Sequence, residues 1–207
     1  MGLSSDDYSR FGASVVDLGN NFATTEKDIV MMANRLAAGG KLAGLTAPEI
    51  LGLATAMSSV GIEAEAGGTA MTQTLTAIGN AVSLTTKDSA DDLALIAKVA
   101  GTTSEEFQQA WKEKPAEALQ SFIKGLNTAR EKGANMDAIL MKLGMTGIRQ
   151  GNMLKSLALS SDKMSAAVNR SNQAWKENTA LTNEANKRYE TTESQLKMFR
   201  NQLTATY

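Results

Sequence analysis

Apolar positions in the first 160 residues fall into short stripes at helical spacing, most of them closed by a glycine. Ile29, Met32, Ala33 and Leu36 form one stripe, and Ile50, Leu53, Ala54 and Met57 a second. Leu93, Ile96, Ala97 and Ala100 form a third, and Leu119, Phe122, Ile123 and Leu126 a fourth. Residues three and four apart share one face of a helix, so each stripe predicts an amphipathic helix with a face to bury. Start signals precede them. Thr46-Ala-Pro-Glu49 and Thr103-Ser-Glu-Glu106 are capping boxes, and Ser89-Ala-Asp-Asp92 resembles one with Asp in place of Glu. Pro48 and Pro115 fall where a first helical turn tolerates a missing donor. Gly19, Gly39-Gly40, Gly61, Gly101 and Gly133 read as stops. No stretch alternates apolar and polar residues convincingly. The pattern predicts eight or nine short helices around one core over residues 1–160.

The C-terminal part reads differently. From Asp162 to Ala205 there is neither Gly nor Pro. One uninterrupted helix over that span, capped by Ser161, would measure about 66 Å. Trp175, Asn178, Thr182, Ala185, Tyr189, Thr192, Leu196, Phe199 and Leu203 recur at alternating spacings of three and four. Such a heptad seam predicts a helix that associates with a partner or with a second copy of itself as a coiled coil. Glu184 with Arg188 and Glu193 with Lys197 flank the seam as i,i+4 pairs, each stabilising the helix by about 0.2–0.5 kcal/mol. The expected organisation is thus a compact helical module at 1–160, then a long helix at 161–207.

Composition reinforces the all-α reading. The 207 residues include 31 Ala and only 2 Pro, with 5% aromatics, which favours helix over strand. The chain has 21 Lys+Arg against 22 Asp+Glu, so nucleic acid is not expected as the main partner. With zero His and zero Cys there is no thiol nucleophile, no imidazole base and no Cys/His zinc site. No cofactor or metal is expected, and no enzyme.

The remaining candidates for chemistry have plainer explanations. Gly39-Gly-Lys41 lacks the earlier Gly and the following Ser or Thr of a phosphate loop, and reads as a helix end. Glu63 and Glu65 are two carboxylates without further acids nearby in sequence; a hydrophilic bend is favoured over an acid/base pair. Asp88, Asp91 and Asp92 suit a helix start. Asn169-Arg-Ser171 matches a glycosylation acceptor but lies in a predicted helix. Ala66–Thr86 is uncharged for 21 residues, yet Met71, Leu75, Ile78 and Val82 make a single stripe, so a soluble core helix is expected rather than a membrane span.

Several stretches resemble the core region of bacteriophage tail tape-measure proteins of the lactococcal-phage type. They are Leu18-Gly-Asn-Asn-Phe22, Ala43-Gly-Leu-Thr46, Ile50-Leu-Gly-Leu53 and Ser58-Ser-Val-Gly-Ile-Glu-Ala-Glu-Ala-Gly-Gly-Thr69. To these are added Ala110-Trp-Lys-Glu-Lys-Pro-Ala-Glu-Ala-Leu119, Ala174-Trp-Lys-Glu-Asn-Thr-Ala-Leu181 and Arg188-Tyr-Glu-Thr-Thr192. The resemblance implies a segment of a longer structural protein that fills the tail-tube lumen in several copies and sets tail length. It implies tail-tube protein and tail assembly chaperones as partners, in the host cytoplasm during assembly and in the virion tail afterwards. Within a tube the compact module would have to open or pack end-on. The rival readings are a cell-wall-degrading module using Glu63 and Glu65, or a membrane-active one using Ala66–Thr86.

Overall fold

The computed structural model describes residues 4–205, without the side chains of Asp6 and of 202–205. Among these residues the chain forms eleven helices and no strand, as the stripes predict. They are α1 (Ser5–Asn21), α2 (Glu26–Leu42), α3 (Ala47–Ser59), α4 (Ala64–Ser83), α5 (Lys87–Ala100) and α6 (Ser104–Glu113). There follow α7 (Pro115–Glu131), α8 (Met136–Lys142), α9 (Ile148–Leu159), α10 (Ser161–Glu177) and α11 (Ala180–Ala205).

Local chemistry sets most boundaries. Glu49 Oε2 accepts from the Thr46 backbone N–H at 2.8 Å, and Glu106 Oε2 from that of Thr103 at 2.9 Å, closing both capping boxes. Gly101 ends α5 at φ 80°, where a side chain would be strained. Three boundaries differ from expectation. α5 starts a turn early, because the Thr86 hydroxyl, not Ser89, caps it by accepting the Ser89 N–H at 3.2 Å. α1 runs through Gly19 to Asn21. α2 runs through Gly39 and Gly40 to Leu42. Those two glycines are close-packing notches: a Cβ on Gly39 would lie 2.7 Å from Thr72 of α4, and one on Gly40 2.9 Å from Ile50.

α3 sits at the centre. Ile50 through Met57 are all buried, because α2, α10 and α1 each pack against it. A Cβ on Gly52 would come 2.5 Å from the Val168 Cα, so α3 and α10 meet backbone to backbone. α4 links this layer to α5 and α9, and α7 joins α5, α6 and α9 on the far side. One apolar cluster runs from Val15 of α1 to Ala167 of α10. Its fully buried Leu, Ile and Phe side chains each contribute roughly 1.5–3 kcal/mol. Two buried polar side chains satisfy each other: Gln150 Nε2 donates to the Thr74 hydroxyl, which donates to the Ala70 carbonyl.

The C-terminal stretch is the main departure. The long terminal helix exists, but it begins at Ala180 rather than after Ser161, and Ser160, not Ser161, is the N-cap residue of the helix before it. Asn178 breaks the run at φ 52°, ψ 36°, the one non-glycine residue at positive φ among those described. Asn adopts this left-handed conformation more readily than most residues with a side chain. Upstream of the break, α10 belongs to the core: Met164, Ala167, Val168, Ser171 and Ala174 are buried, and the Ser171 hydroxyl donates to the Pro48 carbonyl at 2.6 Å. A division between residues 160 and 161 therefore falls inside the packed unit. Downstream, the 26 residues of α11 extend about 39 Å.

Candidate functional site: the C-terminal helix and its joint

The seam read from the sequence is divided by the break. Trp175 is half-buried and packs on the core, and Asn178 occupies the joint itself. From Thr182 onward the seam lies along one face of α11. Thr182, Ala185 and Thr192 are exposed, as are Tyr189 at 75%, Leu196 at 54% and Phe199 at 59%. The side chain of Leu203 lies outside the described residues. Arg188 Nε donates to Glu184 Oε1 at 3.2 Å, the flanking pair expected. Thr192 turns its hydroxyl back to the Arg188 carbonyl, so the seam's centre is small and locally satisfied.

Among the described residues α11 meets the module near its start, chiefly on α1. Leu181, still 43% exposed, lies over Gly12, where a Cβ would sit 3.0 Å from its Cδ1. Ser9 Oγ donates to Asn178 Oδ1 at 3.1 Å, and Arg10 Nη1 to the Trp175 carbonyl at 3.1 Å. Beside these contacts opens a polar cleft of about 350 Å³, lined by Asn20, Asn183, Glu184 and Lys187 and by the Asp17–Arg170 ion pair. Hydrogen bonding to Asp17 raises the pKa of the Arg170 guanidinium above its ordinary value.

The other candidates resolve into structure. Gly39-Gly-Lys41 is the last turn of α2 and not a loop around a phosphate. Glu63 and Glu65 stand with Asp28, Met31 and Met32 around an open cleft of about 440 Å³. No group of three or more Asp or Glu among the described residues is placed to hold a metal ion. Asp88, Asp91 and Asp92 lie in the first turns of α5, where burial and then the two neighbouring acids push the Asp92 carboxyl up. Met71, Leu75, Ile78 and Val82 of α4 are buried in the core, and no helix among the described residues is long and apolar enough to cross a membrane. Asn169 is exposed in mid-α10.

Over residues 1–140 the sequence matches the family of phage-related minor tail proteins. The chain belongs to that family. The matched stretch of this minor tail protein runs from α1 into α8, and α9, α10 and the free helix α11 lie beyond it. No curated protein and no solved structure matches the chain. For a minor tail protein a structural role in the tail is the expected one, and a long exposed helix projecting from a packed module suits it.

Sequence reasoning missed the residues that make the joint. Ser9, Arg10 and Gly12 lie more than 160 residues from their partners, and nothing local marks them. Asn178 sits on the heptad and carried no sign of a break beyond being, among residues with a side chain, a type that tolerates one.

Proposed function

We propose that this chain is a segment of a tail tape-measure protein: a helical structural element of the virion tail, with α11 contributing to a rod in the tube lumen that sets tail length. The observation that carries this reading is α11, about 39 Å of helix bearing an exposed heptad face, on a chain of the minor tail family. Helix length is proportional to residue number, which is the physical requirement of a ruler.

In this reading the seam from Thr182 to Leu203 pairs with further copies of the same chain, and the tail-tube protein and tail assembly chaperones act on it in the host cytoplasm. The compact module opens or packs end-on when enclosed. The heptad favours self-pairing, because Arg188 and Glu193 flank the seam at positions that face each other between parallel copies in register.

The test is a register-preserving insertion. Duplicating Thr182–Gln202, three heptads, in the tail protein is expected to lengthen assembled tails by about 31 Å, measured by electron microscopy. Tails of unchanged length would defeat the ruler. Light scattering on the full chain and on a truncation after Asn178 tests the pairing: only the full chain is expected to self-associate.

A further inference from the structure

The heptad stripe does not stop at the bend. Met164, Val168, Ser171 and Trp175 of α10 continue through Asn178 into Thr182, Ala185 and Tyr189 at unbroken spacings of four and three. Neither Gly nor Pro occurs between 162 and 205, so the sequence holds no strong helix breaker there. The bend is held from outside, by α1. In a continuous helix the Trp175 carbonyl would accept the N–H of residue 179. Here Arg10 Nη1 donates to it instead, at 3.1 Å. Ser9 holds the Asn178 side chain, and the bare backbone of Gly12 leaves room for Leu181 to lie against α1. α1 therefore supplies hydrogen bonds and packing that the break removes from the helix.

Resting on the tail-rod reading above, we propose that Asn178 is a two-position joint that sets the direction and continuous length of the terminal helix, with Ser9, Arg10 and Gly12 of α1 as its clasp. In the bent position α11 leans on α1, and Trp175 is separated from the seam that follows. In the straight position Asn178 returns to the right-handed region and Ser161–Ala205 becomes one helix of about 68 Å. The stripe then runs along one face of a single helix, its α10 half still buried in the core, and Leu181 leaves α1. The bend holds only the base of the rod against α1, and release extends it.

The chain has no cysteine, so two introduced ones accept spin labels without competition. Lys163→Cys on α10 and Lys197→Cys on α11 are exposed positions, about 51 Å apart along a straight helix. The parent chain and Asn178→Gly, which retains easy access to positive φ, are expected to give a shorter distance. Asn178→Ala disfavours the left-handed backbone and is expected to raise the ratio of straight to bent chains about tenfold. Arg10→Ala removes the clasp's bond to Trp175 and is expected to move the distribution the same way. A distance distribution that stays at the parent's in either Asn178→Ala or Arg10→Ala overturns the proposal. Labelled chains diluted in excess unlabelled protein keep the reading within one molecule. A failure of self-association, seen separately by light scattering, therefore leaves this result to stand or fall alone.

Discussion

Arg170 grips Asp17 with both prongs of its guanidinium, Nε to Oδ2 at 2.6 Å and Nη2 to Oδ1 at 2.7 Å, tying α10 to α1 across 153 residues of sequence. Asp17 is largely shielded while Arg170 is 42% exposed, so the pair lies between a surface bridge and a buried one. Bidentate geometry favours it and solvent screens it. Arg170→Gln is expected to cost about 1 kcal/mol in urea unfolding, less at high salt. A double-mutant cycle with Asp17→Asn assigns that loss to the pair; additive single effects would show that the contact contributes nothing.

The crossing of α3 and α10 at Gly52 tolerates no side chain. Gly52→Ala would place a methyl 2.5 Å from the Val168 Cα, and backbone cannot rotate out of the way as a side chain can. The expected cost is about 3 kcal/mol, read as a lowered midpoint in chemical denaturation.

Ser14 predicts the opposite sign. Its hydroxyl oxygen is buried in α1 without a hydrogen-bond partner. Ser14→Ala removes a desolvated polar group and improves helix propensity, so the chain is expected to gain up to about 1 kcal/mol. A clear loss of stability would mean that the hydroxyl is satisfied after all.

Asp92 sets a pH dependence. Burial, reinforced by the charges of Asp88 and Asp91, raises its carboxyl pKa in the folded chain. The folded state therefore keeps this proton to a higher pH than the unfolded state, and stability falls as pH rises between the two values. Above that window the penalty is constant; below the ordinary Asp range, near pH 4, it is absent. Asp92→Asn is expected to raise the thermal midpoint at pH 7 and to leave it unchanged at pH 3.

Glu63 and Glu65 provide the check on enzymatic chemistry. The cleft they share with Asp28 is open, and a structural tail role requires no turnover. The isolated chain is expected to release no peptidoglycan fragments, and Glu63→Gln with Glu65→Gln to leave tail assembly unchanged. Release that disappears in the double variant would establish a hydrolase.

The helical class and most helix boundaries were legible because they depend on neighbours within one turn: Thr46 with Glu49 and Thr103 with Glu106 at starts, Gly101 at positive φ at an end. The errors arose where distant contacts decided. Gly39 and Gly40 read as a stop, yet they are the surface that lets α4 and Ile50 approach α2. The start of α5 is the local exception: Thr86 caps it, three residues before the expected Ser89. The heptad was real as a pattern, but a repeat reports only which residues share a face if the helix continues. Whether it continues past Glu177 depends on Ser9 and Arg10, whose influence no local window contains.

An isolated helix of 26 residues with little Ala is only marginally stable in water, and α11 draws support from the module at one end alone. Whatever lies along its free length therefore supplies part of the stability that keeps it wound. Folding of this arm and recruitment of its neighbours become a single equilibrium, so its helicity rises with protein concentration while that of the globular body does not.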